Sequence, residues 1–246
     1  MAASTASAAL VAHYTFDESS GTMAYDSAGS NDGTIHGATW TNGPSAGALN
    51  FNPANNAYVA VPSSPSLSFT QSSSFTIALW ANTATNAFQL ISKMQGAGQT
   101  GLFTYELDYL GTGVQAFHFK AESSNQGVTA INTGMNSTIP GTWYHVAAVY
   151  NNKNMQIYLN GALKDTATFS YNTGSTSPDG RLMIGAREVN GMLQSGWYYN
   201  GSMDDVRIYN EALSASYITQ LYQTTPEPAT MGLLGLGGLL LRRRMR

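Results

Sequence analysis

Apolar and polar residues alternate in short segments along most of the chain, at the period of two that β-strands show. Residues 10–16 place Tyr14 and Phe16 on one side, which predicts a first strand with both rings turned inward. Residues 75–80 alternate as clearly and predict a central strand with Phe75, Ile77 and Leu79 on one face. The pattern therefore indicates a protein built mainly from strands.

Hairpin signals support this interpretation in the second half of the chain. Residues 143–150 and 155–159 are two strand-like segments on either side of a short polar turn. Asn160-Gly161 favours the positive φ angles of a two-residue turn, so we expect residues 163–169 to pair back. About a dozen strands without intervening helices predict an all-β fold, a two-sheet antiparallel sandwich. The further predicted strands include residues 49–51, 58–61, 88–94, 103–110, 114–121, 181–185 and 206–209.

The pattern changes after the last strand. Ser214 is a suitable N-cap for a short helix over residues 215–221, whose Ile218 and Leu221 would face the domain. We therefore divide the chain into residues 1–9, one β domain over residues 10–222, and a tail over residues 223–246. The first nine residues are rich in Ala and Ser and are either a signal-peptide remnant or a disordered start.

Composition and charge narrow the function classes. The chain has no cysteine, so it has neither disulfides nor a thiolate metal site. Its net charge is −3, but four of its eleven basic residues lie within the last five positions. Before residue 226 the chain has seven basic and thirteen acidic residues. Because nucleic-acid affinity depends on Lys and Arg at phosphates, no nucleic-acid partner is expected.

Nine sequence segments carry a resemblance to a known family. They are residues 10–18 (LVAHYTFDE), 31–33, 49–51, 58–62, 75–80, 141–150, 157–161, 182–185 and 203–214. In this order they resemble the laminin-G-like (LamG-like) jelly-roll domains of the concanavalin A-like lectin/glucanase superfamily. The resemblance implies a jelly roll of two curved antiparallel sheets that binds carbohydrate or protein surfaces and often carries one structural Ca²⁺.

A calcium site is compatible with the acidic and amide residues of this chain. Ca²⁺ takes six to eight oxygen ligands, commonly carboxylates and backbone carbonyls. The proposed ligands are Asp204 in the last strand, with Asp17, Asn31, Asp32 and Gly33 from the N-terminal loops. In the alternative interpretation, the loop residues cap their own turns and both Asp204 and Asp205 are solvated. Asp205 is expected to face outward, because successive strand residues point to opposite sides.

One segment tests whether the chain is an enzyme. Laminarinase-type members of the superfamily carry Glu-x-Asp-x-x-Glu on one strand, and residues 106–111 are a near match. Glu106 and Asp108 would share a face, but Gly111 replaces the last carboxylate. Retaining hydrolysis needs two carboxyls that flank the bond, so we expect no catalytic residues and no enzyme activity.

Aromatic residues before the last strand are the candidate ligand site. Sandwich proteins grip sugars by stacking ring faces on Tyr or Trp while Asn or Asp binds the hydroxyls. The candidates are the consecutive residues Trp197, Tyr198, Tyr199 and Asn200. In the alternative interpretation, this segment is a strand edge with a buried ring.

The tail carries a second resemblance. Pro226, Glu227 and Pro228 precede an apolar stretch, and Arg242, Arg243 and Arg244 follow it. This order resembles the PEP-CTERM sorting signal of Gram-negative bacteria, which implies an exosortase-type processing enzyme as a partner. The apolar stretch predicts a helix of about 20 Å against a hydrocarbon core of about 30 Å, too short to span comfortably. An ordinary tail anchor in the inner membrane would leave the β domain in the same compartment.

Together these features favour an exported, non-catalytic module that binds carbohydrate or an extracellular matrix polymer. Its tail would hold it transiently at the inner membrane before it is sorted to the cell surface or the extracellular matrix. The alternatives are a glycan hydrolase or lyase on the same scaffold, and a structural matrix protein without a defined ligand.

Overall fold

The computed structural model describes residues 9–94, 102–123, 126–172 and 180–224. Among these residues one α-helix, α1, spans Ala215–Thr224, and two short 3₁₀ helices span Pro53–Asn55 and Pro65–Leu67. The strands of the described residues, in chain order, are β1 (Leu10–Tyr14), β2 (Met23–Ala24), β3 (Gly33–His36), β4 (Thr39–Gly43), β5 (Ala46–Phe51), β6 (Tyr58–Val61), β7 (Ser74–Thr83), β8 (Gln89–Lys93), β9 (Phe103–Leu110), β10 (Ala116–Ser123), β11 (Gly127–Asn132), β12 (Trp143–Asn151), β13 (Asn154–Leu159), β14 (Ala162–Thr168), β15 (Leu182–Ile184), β16 (Glu188–Val189), β17 (Met192–Leu193) and β18 (Gly201–Tyr209).

The strands form two large antiparallel sheets, which confirms the predicted sandwich. The first sheet has the order β14-β13-β12-β7-β18-β5-β4, with β1 also paired to β18. The second sheet has the order β11-β10-β9-β8-β15-β6-β3-β2. A separate hairpin, β16-β17, lies between β15 and β18 in the chain.

The core fills the space between the two sheets. Tyr14 and Phe16 are fully buried, as the alternation in the first strand predicts. The ring of Phe75 on β7 stacks on Phe69 and on Tyr150 of β12, with centroids 4.6 and 5.2 Å apart. Aromatic rings bring a large apolar area to such a core, so these contacts contribute strongly to holding the sheets together.

Helix α1 covers the outer face of the first sheet. Ser214 caps it as predicted, since its Oγ accepts a hydrogen bond from the Tyr217 amide at 3.3 Å. Ile218 and Leu221 are buried in a small apolar cluster with residues of β7, β12 and β13. The first sheet is therefore covered on both faces where α1 packs against β7, β12 and β13.

Side chains along β9 and β10 point alternately into the core and outward, and this determines which residues lie on the outer face of the second sheet. Phe117 and Phe119 of β10 point into the core, so His118 and Lys120 between them point outward. The antiparallel register places Asp108 of β9 directly opposite His118. The segment from β15 to β18 lies against this face, because Ser92 Oγ of β8 donates to the Ala186 carbonyl at 2.9 Å.

Strands β3 and β11 were not predicted from the sequence pattern. Strand β3 begins at Gly33, inside a run of turn-forming residues, and β11 has only Val128 and Ile131 as large apolar residues. Pairing with β6 and with β10 orders these two segments, so tertiary contacts outweigh their weak local preference.

Gly185 offers a test of how the segment that follows β15 is held. It has φ +85°, and an added Cβ would lie 2.4 Å from the Phe51 ring. We expect Gly185→Ala to lower the free energy of unfolding by ~3 kcal/mol, from backbone strain and overpacking. Gly134→Ala is the matched control, since Gly134 has φ +96° with nothing within 4 Å. It should cost only ~1 kcal/mol in urea unfolding; equal losses would contradict the proposed close packing.

Candidate functional site

The outer face of the second sheet holds a pocket of about 270 Å³, which we call the aromatic pocket. It lies where β9, β10 and the segment before β18 meet. Two other depressions, of about 420 and 440 Å³, are larger, but they are more open and their linings are more polar. Ligand pockets combine apolar walls with a few polar groups, which favours the smaller one. Its lining residues are Phe88, Asp108, Tyr109, Leu110, Gly111, Thr112, Val114, His118, Lys120 and Trp197.

Two exposed aromatic rings form one wall of the aromatic pocket. Phe88 is 42% exposed and Trp197 is 36% exposed, and their ring centroids lie 6.2 Å apart. The backbone fixes both positions: the Phe88 carbonyl accepts from the Tyr109 amide at 2.8 Å, and the Trp197 amide donates to the Gln194 carbonyl at 3.3 Å. The wall is thus an apolar surface on rigid supports.

Charged groups form the floor of the aromatic pocket. Asp108 Oδ1 lies 3.1 Å from His118 Nδ1, and the other carboxylate oxygen of Asp108 pairs with Lys120. Lys120 Nζ also lies 5.6 Å from the centroid of the Trp197 ring, within the range of a cation–π contact. Asp108 is almost completely buried, with 4% of its side chain exposed, whereas the side chains of His118 and Lys120 are each 16% exposed, so these polar groups lie beside an apolar wall.

Arg187 links the floor to a more deeply buried carboxylate. Its guanidinium is 3.1 Å from Glu106, which is 1% exposed, and 3.8 Å from Glu122. Burial raises the pKa of Glu106, while the charges of Lys120 and Arg187 oppose that shift. Arg187 Cζ also lies 5.1 Å from the Trp197 ring centroid. One arginine therefore holds the aromatic wall and the charged floor together.

The two carboxylates of the enzyme-like segment, Glu106 and Asp108, are both held in ion pairs. Glu106 and Asp108 project from the same face of β9, as alternation predicts, but each is held by its own cation. Gly111, which replaces the third carboxylate of the catalytic pattern, lines the aromatic pocket. Both carboxylates are therefore paired with basic side chains, and the third carboxylate of the catalytic pattern is absent at position 111.

The structure separates the four predicted ligand-binding residues. Trp197 lies in the aromatic pocket, and Asn200 is half-buried with its carbonyl accepting from the Ala84 amide at 2.9 Å. Tyr199 is fully buried against Phe51, so the prediction is wrong for Tyr199, which is a core residue. Tyr198 is 9% exposed and packs beside Tyr58. Its hydroxyl-bearing ring therefore belongs to a packing cluster and not to the pocket.

Asp204 lies in a second polar site, at the turn between β4 and β5. It is fully buried, its Oδ2 accepts from the Ser45 amide at 2.9 Å, and its Oδ1 has no hydrogen-bond partner. Burial raises the pKa of Asp204 to about 7, with Asp205 and Asp17 adding to the shift. Asp17 is nearby, where its Oδ1 accepts from the Gly47 amide at 2.7 Å. A buried carboxylate with an unpaired oxygen is costly unless a cation or proton neutralises it.

The other proposed calcium ligands lie elsewhere. Asp26 organises their loop, because its carboxylate accepts from the amides of His13, Ala28, Gly29 and Asn31, and these bonds lower its pKa. Asp32 Oδ1 accepts from the Asp26 amide at 2.8 Å, so this loop is the capped turn of the alternative interpretation. Asn31, Asp32 and Gly33 precede or begin β3 of the second sheet, whereas Asp204 belongs to the first. The proposed tie between Asp204 and this loop is therefore corrected to one with the β4–β5 turn.

Asp205 faces outward, as expected, but it is not solvated as the alternative interpretation has it. It is 7% exposed and pairs with His13 at 2.6 Å and with Arg207 at 2.9 Å. The register of β18 against β7 shifts between Asp204 and Arg207, and Asp205 has φ +54°. This bulge turns Asp205 toward β1, so its charge is neutralised on the outer side of the first sheet.

The backbone around Asp204 is closely packed and conformationally unusual. Three residues without the freedom of glycine adopt positive φ there: Phe16 at 55°, Ser19 at 60° and Ala46 at 83°. An added Cβ on Gly43 would lie 2.5 Å from Asp204 Oδ2 and 2.3 Å from the Gly47 carbonyl oxygen. The described residues contain no group of three His, Cys, Asp or Glu side chains placed to hold a metal. A cation at this point would therefore take carbonyl oxygens besides Asp204 and Asp17.

Sequence patterns did not indicate several residues of the aromatic pocket. Phe88, His118 with Lys120, and the adjacent Arg187 come from three separate segments, and the contact between Arg187 and Glu106 spans 81 residues. The outward positions of β10 were the available signal, since alternation places a histidine and a lysine beside Asp108 once β9 and β10 pair.

The predicted sorting residues Pro226, Glu227, Pro228, Arg242, Arg243 and Arg244 lie outside the described residues. Within the part that is described, no helix has the length and apolar character to cross a membrane.

Comparison with known families gives two matches. Residues 53–219 match the family described as the concanavalin A-like lectin/glucanases superfamily. Residues 224–246 match the PEP-CTERM protein-sorting motif. No curated protein matches the chain.

Solved structures share the fold. Domain 4 of AbnA, a GH43 extracellular arabinanase from Geobacillus stearothermophilus in complex with arabinotriose, is 24% identical with a TM-score of 0.65, over 87% of this chain and 98% of that one. The binding domain of Paraclostridial Mosquitocidal Protein 1 is 18% identical with a TM-score of 0.67, over 87% and 51%. The binding domain of botulinum neurotoxin DC in complex with SialylT is 17% identical with a TM-score of 0.65, over 88% and 52%. The chain thus spans about half the length of these toxin domains, and at such identities the likeness shows the fold alone.

Arg187 provides a test of the charged floor. We expect Arg187→Met to lower the free energy of unfolding by ~3 kcal/mol, because it leaves Glu106 buried without the cation that contacts it directly. Adding Glu106→Gln should restore much of that loss. Lys164→Met is the control, since Lys164 is an exposed cation on β14 and its replacement should change the free energy of unfolding by ~0.5 kcal/mol or less. Equal losses for the two variants in urea unfolding would show that the network has no special role.

Proposed function

The chain belongs to the concanavalin A-like lectin/glucanases superfamily, and from that premise we propose that it is a non-catalytic carbohydrate-binding module whose ligand occupies the aromatic pocket. The observation that carries the proposal is the pair of exposed rings, Phe88 and Trp197, beside the polar groups of Asp108, His118 and Lys120. Sugar recognition needs this combination of an apolar platform and hydroxyl-binding groups. The arabinotriose complex of the arabinanase domain supports the proposal as a precedent on the same fold.

The physical basis of binding follows from the wall and the floor. The C–H face of a sugar ring stacks on Phe88 or Trp197, which removes apolar surface from water. Asp108 accepts hydrogen bonds from hydroxyls, while Lys120 donates to a neighbouring oxygen. Because ion pairs already hold the polar side chains in place, little conformational entropy is lost on binding.

The enzyme alternative receives less support than binding. Hydrolysis needs one carboxyl kept protonated as the acid and another free to attack or to activate water. The two toxin structures above are binding domains, whereas the arabinanase domain belongs to a glycoside hydrolase as a separate domain. A structural matrix protein without a ligand remains the outcome if no sugar binds.

The sorting motif supports an exported location. We propose that an exosortase-type enzyme in a Gram-negative bacterium processes residues 224–246. Before processing, the apolar stretch and the arginines after it hold the chain at the inner membrane. Afterwards the β domain resides at the cell surface or in the extracellular matrix, where polysaccharide ligands are available.

We also propose a structural Ca²⁺ at the β4–β5 turn, with Asp204 and Asp17 as its carboxylate ligands. The unpaired Oδ1 of buried Asp204 supports this site, as does the nearby carboxylate of Asp17. Such a cation would tie β18 to the β4–β5 hairpin.

Removing either aromatic ring should weaken sugar binding. We expect Phe88→Ala and Trp197→Ala each to reduce affinity about tenfold, or ~1.4 kcal/mol, on a glycan array that includes arabinotriose. Tyr217→Ala is the control, because Tyr217 is similarly exposed (39%) but lies on α1 against the first sheet. If the wild-type chain binds no glycan on the array, the structural-protein alternative gains support; if both ring variants bind normally, the pocket is misassigned.

The pH dependence of stability should differ with and without calcium. Because the pKa of Asp204 is raised to about 7 in the folded state from 3.8, the folded state binds more protons between those values. Without metal, its contribution therefore becomes less favourable as pH rises from 4 through 7. Ca²⁺ requires the ionised carboxylate, so added Ca²⁺ should raise the Tm at pH 8 and have little effect at pH 5.

Asp204→Asn serves as the comparison for that measurement. It keeps the shape of the side chain but removes the titrating charge, so both the calcium effect and this pH dependence should disappear. An unchanged Tm at pH 8 in Ca²⁺ and in EDTA would exclude the calcium proposal.

A further inference from the structure

The charges at the aromatic pocket are already paired within the protein. Lys120 and His118, the basic side chains of its lining, both contact the carboxylate of Asp108. Arg187, behind Trp197, is held by Glu106 and lies 3.8 Å from Glu122. Each cation of this part of the chain therefore has a carboxylate partner before any ligand arrives.

Such pairing decides how the pocket meets a charged ligand. A ligand carboxylate gains the most binding energy from a desolvated cation that has no counter-charge. Lys120 and Arg187 both have carboxylate partners, so neither is such a cation. It would instead approach Asp108, and like charges at short distance oppose binding. It would also lose its own hydration in a pocket walled by Phe88 and Trp197, at a cost that no free cation offsets.

An uncharged sugar meets no such penalty. Its hydroxyls donate to Asp108 and accept from Lys120 without breaking the Asp108–Lys120 pair, since the carboxylate has further lone pairs and the ammonium has further protons. Adjacent hydroxyls on one ring suit this adjacent acceptor and donor. The pocket of about 270 Å³ is small, which favours a single sugar residue held at the wall.

From this arrangement we infer that the aromatic pocket selects uncharged sugars and excludes acidic ones, such as uronates and sialylated glycans. The inference rests on the proposed carbohydrate-binding function, because it concerns the choice of ligand at the same pocket. Selectivity arises from the acidic side chains: Asp108 repels acidic ligands directly, and Glu122 acts indirectly by neutralising Arg187.

Matched ligand pairs test the inference on the full chain. Calorimetry would compare two pairs of a neutral and an acidic sugar: lactose with sialyllactose, and galactotriose with trigalacturonate. The second pair differs at C6, where a carboxylate replaces a hydroxymethyl group. Arabinotriose would be titrated as a further neutral sugar. We expect each neutral sugar that binds to be favoured over its acidic counterpart by about tenfold or more. If an acidic sugar binds as tightly as its neutral counterpart and Trp197→Ala abolishes that binding, the inference is overturned while the carbohydrate proposal stands. If no sugar binds, the carbohydrate proposal fails and the inference fails with it.

Two isosteric variants test the cause of the selectivity. Asp108→Asn removes the carboxylate that faces the ligand, and Glu122→Gln removes a counter-charge of Arg187 without altering the pocket lining. The ratio of acidic to neutral affinity should rise about tenfold in Asp108→Asn, with a smaller rise in Glu122→Gln. Glu188→Gln is the control, because Glu188 pairs with Arg181 and does not line the pocket. An unchanged ratio in both test variants would overturn the electrostatic explanation.

Discussion

Buried carboxylates on the outer face of the second sheet are tolerable only because cations from other segments neutralise them. Glu106 is almost completely buried, and an ionised carboxylate there would be strongly destabilising without a partner. Arg187 supplies the opposite charge from the segment that follows β15. The same contact brings that segment onto the sheet and sets Trp197 against Lys120. Neutralising one carboxylate thus determines both the path of a loop and the wall of the pocket.

This constraint explains why the site lies where it does. Strands β9 and β10 each turn one face to the core and the other to the outer side, so their polar residues collect on one surface. The segment around the β16–β17 hairpin covers part of that surface. The aromatic pocket forms at the limit of this cover, where the charged floor is still shielded and Phe88 remains exposed.

How far the sequence predicts the structure depends on the range of the contacts. Local alternation and the Asn160-Gly161 turn predict β12, β13 and β14 well, because the signal lies within each segment. The two acids at the start of β18 show the limit. Asp204 was expected beside Asn31, but β18 pairs with β5 and β3 lies in the other sheet. Likewise, nothing near Glu106 in the sequence indicates that Arg187 will neutralise it.

The end of the described chain and the aromatic pocket lie on opposite sheets. Helix α1 begins where the Leu213 amide donates to Thr76 Oγ1 and ends with Tyr222 beside Trp80, so it lies along the first sheet. The described chain ends at Thr224, on the side of the first sheet. The aromatic pocket opens on the outer face of the second sheet. The last described residue and the pocket therefore lie on opposite sheets, and under the proposed function attachment through the tail and binding of a sugar would use different surfaces.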